Sequence, residues 1–491
     1  MRVNRRLAQG ARSAPDPSLT TVLRDRFPGI LIGFGFVALA ALVYWSSAPD
    51  RYYNHFVWQA LAFLDGRAQI DYPVGPIAGT PGNAFFQDVM PFPGPHGEPS
   101  GYGLLPFPPL PAIVLMPLVA LWGIATDERV LSVGLGAIDV GLAWWALGKL
   151  PITRPTRMMA TLFFAFGTVF WYTAQLGTTW WLAHVVALAP ALVAVGIALG
   201  ADREASNADH ELPSSPVDDV LDAIHDRASA DQRPLLDRRQ VLAGFLFGVA
   251  CTARLTIAFG APFFLFVGGG GSWVRRALSA GVGAAIPIGA LLLYTYVTTG
   301  HLVSPAYEYL YKLEAFGWPG LHYHADWGIE DLRYLPQNLD IMLFSTPILF
   351  PTEVPSAIGF PSPVCVSTQI RALFDSACPL ALPRDVGMSV LITSPAYLLA
   401  APVLMAIRRS RLVAGCTFAV LAITVVNLMH FSQGWVQFGY RFSNDAVMFA
   451  LPLVALGMAR RGGVGLLGGA LVLLSIGINF WGVAWGNLLG W

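Results

Sequence analysis

Carboxylates and arginines stand beside apolar runs at several points of this 491-residue chain. Asp50 directly follows the first apolar run, and Asp88 is the lone acid of the segment FFQDVM. Arg254 lies between two short apolar runs, and Arg441 precedes another in FGYRFSND. Carboxylates accept protons from nucleophiles, and guanidinium groups bind anions such as phosphates. A lone arginine between apolar segments is costly without a counter-charge, so we expect a phosphate or a carboxylate to meet Arg254.

Each of these residues also has a purely structural interpretation. Asp50 could cap a helix that begins near Tyr52, and Asp88 could bond to nearby loop backbone. Arg254 could pair with an acidic loop residue, and Arg441 could lie at the lipid headgroups. The sequence leaves both interpretations open at each position.

Segments that contain histidine or cysteine give little support for a metal site. HYHAD, which holds His322, His324 and Asp326, places two histidines two residues apart in a loop, which is a weak metal signal. The four cysteines lack metal-ligand spacing. Cys365 and Cys378 lie in a polar loop and could form a disulfide if that loop is external. We therefore assign no metal, and a divalent cation has no supporting ligand set.

Other polar or aromatic residues border or interrupt the apolar runs. Trp180 and Trp181 are expected in the aromatic belt at a membrane interface, and His184 follows one turn later. Asp139 is expected to make a polar contact between two helices.

The composition identifies the chain as a membrane protein. Hydrophobic residues make up 55% of it and charged residues 12%, against about 25% charged in typical soluble domains. The formal net charge is zero, which argues against a nucleic-acid partner because a phosphate-binding surface needs a basic excess. The expected partner of the apolar surface is the lipid bilayer.

Positive residues at the cytoplasmic ends of spans predict the topology. An even number of crossings must separate successive basic clusters, which leads to about 11 spans with a cytoplasmic N-terminus. The run 104–125 opens with LPFPPLP, and prolines at this density cannot form an ordinary helix interior. We therefore expect it to lie on or dip into the outer leaflet, because a twelfth span would put later basic loops outside.

The predicted organisation is an all-α protein of the plasma (inner) membrane with two large external loops that carry juxtamembrane helices. The arginine-rich N-terminus and the first span predict an uncleaved signal anchor. The segments are a cytoplasmic tail (1–27), the first span (28–46), the first external loop (47–129), spans 2–4 (130–200), a disordered cytoplasmic loop (201–239), spans 5–7 (240–298), the second external loop (299–386) and spans 8–11 (387–491). Long loops of this kind usually carry function, so we expect the chemistry on the external face.

Several motifs follow one another in a recognisable order along the chain. An acid follows the first span, then HFVWQALAFLDGR, FFQDVM and GYGLLPFPPLPAIVLMP. TTWWLAHVVAL, AGFLFGVACTARLTIAFGAPFFLF and GWVQFGYRFSNDAVMFALPL come later. This order resembles the integral-membrane glycosyltransferases of the GT-C fold, in particular bacterial relatives of the protein mannosyltransferases. The likeness covers most of the chain except 201–239. The paired Asp-Glu that some relatives carry after the first span is absent, which leaves the base and the metal open.

The resemblance implies transfer of a hexosyl or pentosyl group from a polyprenyl-phosphate donor to an unidentified acceptor by inverting displacement. It implies Asp50 as the general base, with Asp88 as the alternative. The implied donor-phosphate ligands are Arg254, Arg441 and Tyr440, and the implied substrate-binding residues are His184, His55 and Tyr102. A transporter or flippase of lipid-linked substrates and a non-catalytic envelope-assembly protein are the alternatives, although repeats and multiple midplane charges typical of transporters are missing.

Overall fold

The computed structural model of the protein describes residues 19–50, 54–72, 88–93, 95–96, 99–208, 235–269, 271–317, 324, 326–354, 362–365, 370–434, 436–460 and 462–491. Most of these residues are helical. The α-helices are α1 (Leu19–Ser47), α2 (His55–Leu64), α3 (Leu110–Trp122), α4 (Glu128–Leu147), α5 (Arg154–Phe166), α6 (Phe170–Leu176), α7 (Thr179–Ala208), α8 (Arg238–Cys251), α9 (Phe263–Phe266), α10 (Trp273–Thr299), α11 (Pro305–Gly317), α12 (Leu335–Phe344), α13 (Val390–Thr393), α14 (Ala401–Leu404), α15 (Arg411–Met429), α16 (Val447–Ala459) and α17 (Gly465–Leu489).

Short strands occur only as small antiparallel pairings within the described segments. The strands are β1 (Ile70–Asp71), β2 (Met90–Pro93), β3 (Pro99–Leu104), β4 (Ile348–Leu349), β5 (Glu353–Val354), β6 (Ser362–Pro363) and β7 (Ala381–Leu382). The first three form a sheet in the order β1-β3-β2, and β4 pairs with β7 and β5 with β6. The predicted all-α class is therefore correct for the membrane part, with minor β structure in the long loops.

Seven helices of the described segments are long and apolar enough to cross a membrane. An eighth crossing results if α5 and α6, which are bent by 50° against each other, count as one broken span. A helix needs about 20 apolar residues to cross the hydrocarbon core. The structure thus establishes a multi-pass architecture, whereas the number eleven stays a prediction.

The predicted spans within 240–270 and 387–407 are short or broken. Leu255–Gly260 is a 3₁₀ helix that continues into the four-residue helix α9. Pro395–Ala400 is another 3₁₀ helix, set between α13 and α14. These interrupted segments are only partly buried, with Ile257, Phe263 and Ala396 in the core and Leu255, Phe259 and Leu398 exposed.

The proline-rich run 104–125 forms a helix only in its second half. α3 begins at Leu110, after the prolines, and has 13 residues. At 1.5 Å per residue this length is well short of the roughly 30 Å hydrocarbon core. Leu110 N donates to Thr252 O at 3.3 Å, so α3 starts beside the end of α8.

The loop predicted over 201–239 is helical at both ends. α7 continues to Ala208 instead of ending near residue 200, and α8 begins at Arg238. The prediction failed there because the helix propensity of the polar sequence ADREASNA permits α7 to extend beyond its apolar part. Residues 209–234, to which most of the predicted loop belongs, lie outside the described residues.

Basic residues gather at one end of the helix bundle, which we call the basic end. Arg157 of α5 lies over an indole ring in the last turn of α4, 3.6 Å from the ring centroid. Lys149, just after α4, packs beside Gly200 of α7. Arg411 at the start of α15 pairs with Asp202 of α7 at 3.5 Å. The ends of α4 and α7 and the starts of α5 and α15 therefore lie together.

The opposite end of the bundle, which we call the loop end, carries the long connecting segments. Trp171 Nε1 of α6 donates to Ser47 Oγ at the end of α1 at 3.1 Å, and Asn487 Nδ2 of α17 donates to Ser47 O at 2.7 Å. The second long segment docks on the end of α15, where Phe431 N donates to Ile329 O at 2.8 Å. Both long segments are thus anchored at this end.

Cys365 and Cys378 form a disulfide in the second long segment. The bond joins the β6 side of this segment to the residues just before β7. The pairing that the sequence left open is therefore present. Cys251 and Cys416 are free and buried in helices of the core.

Candidate functional site

Asp445 connects several elements at the loop end of the bundle. Its carboxylate is fully buried in the 3₁₀ helix Arg441–Ala446, which precedes α16. Oδ1 accepts hydrogen bonds from His184 Nδ1 at 2.8 Å and from Arg254 Nε at 3.2 Å. Oδ2 accepts from Arg254 Nη2 at 2.7 Å and from Thr256 Oγ1 at 2.7 Å. This carboxylate therefore ties together α7, the turn after α8, and α16.

Arg254 was expected to meet a phosphate or a carboxylate, and the structure supplies a carboxylate. Its guanidinium side chain is 19% exposed, although its counter-charge on Asp445 is completely buried. The bidentate contact fixes the orientation of the guanidinium plane. The remaining exposed part of Arg254 is therefore held in a fixed position by its partner.

Arg441 lies beside Arg254, and both guanidinium groups contact the same aromatic ring. The Cζ atoms of Arg254 and Arg441 lie 5.5 and 5.3 Å from the centroid of the Phe442 ring. Arg441 Cζ is also 5.2 Å from the centroid of Trp181. Arg441 is 8% exposed, so it is not a surface arginine. Trp181, at 4% exposure, is likewise a core residue and not the interfacial belt residue that the sequence predicted.

Asp88, in the first long segment, lies near Arg441. It has a φ of 60°, in the left-handed region that few non-glycine residues adopt. Its Oδ2 accepts a hydrogen bond from Trp180 Nε1 at 2.7 Å. Burial raises the pKa of Asp88 to about 6, while the Trp180 hydrogen bond and the charge of Arg441 oppose the increase. Asp88 is therefore a buried acid that changes its protonation near neutral pH.

Tyr307 of α11 lies near several of these charged groups. Burial raises the pKa of its hydroxyl, Arg254 and Arg441 lower it, and Glu330 and Asp88 raise it. Four ionisable groups from four distant parts of the chain thus lie close enough to Tyr307 to act on it. We call Asp88, Arg254, Arg441 and Tyr307, together with Asp445 beneath them, the arginine site.

His55 belongs to the wall of the arginine site. Its Nδ1 atom lies 2.8 Å from Thr179 Oγ1, and its ring centroid lies 5.8 Å from that of Trp180. His55 begins α2, whose first backbone N–H groups point to Glu128: Phe56 N donates to its Oε1 at 3.1 Å. His55 therefore positions the indole that holds Asp88.

His184 is the second candidate substrate-binding histidine, and it lies deeper. Its ring is completely buried. Nδ1 donates to Asp445, whereas Nε2 is buried without a hydrogen-bond partner among the described residues. The structure thus places His184 behind the arginines, where it holds Asp445.

Asp50 lies apart from these contacts. Its carboxylate is 87% exposed and pairs with Arg129 at 2.7 Å. α2 begins at His55, with Asn54 as its N-cap residue, whereas residues 51–53, where the alternative cap by Asp50 would lie, are outside the described residues. The described contacts of Asp50 do not join it to the arginine site.

Tyr102 is also remote in its contacts. It lies on β3 opposite Asp71 and is 44% exposed. The guanidinium carbon of Arg67 lies 5.6 Å from its ring centroid. Tyr102 is therefore part of the small sheet, and the structure does not bring it to the arginines.

Tyr440 borders an apolar cavity beside the arginine site. The cavity has a volume of about 190 Å³ and also contacts Phe442, Asn427 and Ser443. The remaining lining residues are Met342, Leu343, Val390, Leu391, Tyr397, Val420, Thr424, Ala446 and Ala450. The hydroxyl of Tyr440 is buried and has no hydrogen-bond partner in the described part of the chain. An apolar space with one such hydroxyl thus adjoins the two cations.

The described residues contain no group of His, Cys, Asp and Glu suited to a metal ion. Within HYHAD, the ring of His324 stacks on Trp327 at 4.0 Å. His322 lies outside the described residues. The weak metal signal of this segment therefore gains no ligand set.

Asp139 does not make the expected contact between helices. Both of its carboxylate oxygens are buried without a hydrogen-bond partner among the described residues. The expectation assumed that a buried acid in a span finds a polar neighbour. The described side chains of the neighbouring helices do not supply one.

Asp445 and Trp180 are the important residues that sequence reasoning missed. Asp445 belongs to FGYRFSND, a segment in which only Tyr440 and Arg441 were singled out. An acid directly before an apolar run is a signal that could have found it, because such a charge needs a partner. Trp180 carried no comparable signal, since its pairing with Asp88 depends on the path of a distant loop.

The chemistry of this site follows from its own residues. Two guanidinium groups can bind an anion with several oxygens, and a carboxyl group with a pKa of about 6 can accept a proton. No family model, curated protein or solved structure matches the chain. The likeness to the GT-C fold thus stays a prediction from the sequence.

Proposed function

We propose that the protein is a membrane glycosyltransferase that moves a sugar from a polyprenyl-phosphate donor to an acceptor hydroxyl. The observation that carries this proposal is the position of Asp88 near Arg441, which shares the Phe442 ring with Arg254. An acid with a pKa of about 6 and two cations thus lie in one region of the loop end. Transfer of a glycosyl group from a lipid phosphate needs both functions at one site.

The arginines stabilise the charge of the leaving phosphate. As the glycosidic bond to the donor breaks, negative charge collects on the phosphate oxygens. Fixed cations at this position stabilise that charge without rearrangement. Asp445 holds the guanidinium of Arg254 through two hydrogen bonds at 3.2 and 2.7 Å, which keeps it oriented before the donor binds.

Asp88 acts as the general base in place of Asp50. The acceptor oxygen forms a bond to the anomeric carbon, its proton passes to the Asp88 carboxylate, and the lipid phosphate leaves with the bonding electrons. Attack opposite to the leaving group inverts the anomeric centre. Burial beside Arg441 supports this assignment for Asp88, whereas Asp50 is exposed and paired with Arg129.

The apolar cavity at Tyr440 and Phe442 suits the first isoprene units of the donor. These units must stay in an apolar environment while the phosphate reaches the cations. Tyr440 offers a hydroxyl at the boundary between the two, which fits its proposed role as a phosphate ligand.

The topology that accompanies this proposal has eleven crossings, with the basic end in the cytoplasm. The short segments α8, Leu255–Phe266 and 390–404 then count as crossings inside the bundle. Their inclusion satisfies the parity of the basic clusters. In this topology the arginine site opens toward the external face of the plasma membrane. The disulfide of the second long segment fits the same face, because disulfides persist in oxidising environments outside the cytoplasm.

Transfer from labelled polyprenyl-phosphate sugars by the full-length protein in membrane vesicles tests the proposal. We expect Asp88→Asn to lower the rate by about 10²- to 10⁴-fold, the range typical of a lost general base. Asp65→Asn is the matched control, because Asp65 is an exposed acid of the same segment paired with Arg67. Asp50→Asn should stay within about twofold of the wild type, the change expected for an exposed ion pair.

Two results would contradict the proposal. A wild-type protein that transfers sugar from no such donor rules out the function. Transfer that survives Asp88→Asn but is lost in Asp50→Asn rules out our assignment of the base.

A further inference from the structure

A second, larger cavity lies between the long segment that joins α10 to α13 and the loop that follows α15. Its volume is about 440 Å³, within the roughly 300–1,000 Å³ usual for small-molecule sites. It is lined by Gln337, Asp340, Ile341, Phe344, Ser345, Thr346, Arg384, Val386 and Gln433. Most of these side chains are polar, in contrast to the apolar cavity beside Tyr440.

Gln433 lines this cavity with a buried polar atom that lacks a hydrogen-bond partner. The residue is 1% exposed, and its Oε1 atom has no hydrogen-bond partner among the described residues. A buried amide oxygen without a partner carries a cost of about 1–3 kcal/mol in general. A ligand with a hydroxyl or amide donor would remove that cost.

The same cavity presents one anion and one cation. The Asp340 carboxylate makes no hydrogen bond within the described chain, and Arg384 uses Nε to donate to Thr346 O at 2.8 Å. Because the charges balance, the site has no preference for a strongly charged ligand. Carboxylate, guanidinium and amide groups together can pair with a set of neighbouring hydroxyls.

Phe344 adds a flat apolar surface at the rim. Its side chain is 67% exposed, so one part of its ring is open to a ligand. An aromatic ring beside polar groups suits a ligand with both hydroxyls and an apolar C–H face. A sugar ring has this combination.

The cavity is also connected to the arginine site through one short loop. Gln437 Nε2 donates to Gln433 O at 2.6 Å, and Arg441 N donates to Gln437 Oε1 at 2.9 Å. Gln437 thus links the backbone of Gln433, which lines the cavity, to the backbone of Arg441, the proposed phosphate ligand. A ligand in the cavity lies beside the loop that carries Arg441.

We propose that this cavity binds a neutral sugar ring of the acceptor, so that the acceptor is a carbohydrate. This inference rests on the proposed glycosyltransfer, because that reaction is what makes a second sugar an acceptor. Gln433 Oε1 and the Asp340 carboxylate accept hydrogen bonds from its hydroxyls, Arg384 donates to its oxygens, and Phe344 covers its apolar face.

Saturation-transfer NMR of neutral methyl glycosides with the full-length protein in lipid nanodiscs tests this site. Nanodiscs are required because glucoside and maltoside detergents would themselves occupy a sugar site. We expect the wild type to saturate the ring protons, and Asp340→Asn and Gln433→Leu to weaken binding by about tenfold, as for one lost hydrogen bond to a charged or buried group. Asp326→Asn, an exposed acid of the same segment outside the cavity, should bind like the wild type.

A second arm measures binding of a short-chain isoprenyl-phosphate sugar to the same variants. Unchanged affinity in Asp340→Asn supports an acceptor site, whereas an equal loss for this donor overturns the inference, because the cavity would then hold the donor sugar. Absence of glycoside binding, or displacement of the glycoside by inorganic phosphate, also overturns it. Since Asp340 is exposed, its variant carries the test if Gln433→Leu does not fold.

The two proposals fail separately. Glycoside binding that depends on Asp340, in a protein without transferase activity, refutes the proposed function and leaves a carbohydrate-binding cavity. Suppose instead that sugar transfer depends on Asp88, but that Asp340→Asn and Gln433→Leu leave glycoside affinity unchanged. This result refutes only the acceptor site.

Discussion

Replacing Asp445 by asparagine should destabilise the protein more than any single change at an exposed acid. The substitution keeps the shape of the side chain and removes its charge. The carboxylate is fully buried and lies between His184 and Arg254. Its loss leaves Arg254 in place without a counter-charge.

The hydrogen bonds of the two carboxylate oxygens give the magnitude. If the amide oxygen replaces Oδ2, the amide NH₂ faces His184 Nδ1 and Arg254 Nε, which were 2.8 and 3.2 Å from Oδ1. His184 can change tautomer and accept, but a guanidinium cannot. Breaking a buried ion pair by removing one partner costs about 3–5 kcal/mol, and we expect Asp445→Asn to lie in this range.

Equilibrium unfolding in mixed micelles, followed by tryptophan fluorescence, measures this loss. The chain has 15 tryptophans, and Trp181 lies against Arg441 near the substitution. The control is Asp50→Asn, which removes an exposed ion pair and should cost about 0–1 kcal/mol.

A double variant identifies the cause of the loss. In Asp445→Leu with Arg254→Met, both charges are absent, so no buried cation is left unpaired. This double variant should be more stable than Asp445→Asn, since contacting residues couple by about 0.5–3 kcal/mol. Equal stability of Asp445→Asn and the Asp50→Asn control would refute the reasoning, because it would mean that Arg254 needs no buried partner.

Three further changes have defined outcomes. Trp180→Phe removes a hydrogen bond that lowers the pKa of Asp88. In the wild type we expect transferase activity to fall on acidification near pH 6, and in this variant the fall should begin at higher pH. An unchanged pH–rate profile contradicts this prediction. Arg441→Lys keeps the positive charge but loses the bidentate contact that a guanidinium group makes. It should reduce kcat/KM for the donor by about tenfold, which corresponds to the loss of one charge-assisted hydrogen bond. Thermal stability is measured as the control for folding. Asp139→Leu replaces an unpartnered buried acid by an apolar side chain and should raise the unfolding midpoint; a lower midpoint would show that the carboxyl group has a stabilising role.

The pH prediction rests on the direction of the Asp88 pKa shift. The carboxylate is the form that accepts a proton, and it prevails above a pKa of about 6. Activity is therefore retained at higher pH and lost as the pH falls through this value. Stability has the opposite sign, because a raised pKa means that the folded protein prefers the protonated form, so stability decreases as the pH rises from the unfolded pKa to about 6.

Local sequence patterns determined most of the helical architecture. Apolar runs of about 20 residues predicted the long helices, since a span must satisfy its backbone internally and match the hydrocarbon thickness. Proline density predicted that α3 starts late, at Leu110. These features depend on neighbours along the chain, so the sequence alone was sufficient.

Only the tertiary structure decided which charged residues meet. Arg254 and Arg441 stood out in the sequence because a charge beside apolar runs is costly. Asp445, the partner of Arg254, is 191 positions away, and Trp180, the partner of Asp88, is 92 positions away. No periodicity or local propensity encodes such separations, because they depend on how helices pack and where long loops return. For the same reason the sequence favoured Asp50 by its position after the first span, whereas packing buried Asp88 beside the arginines.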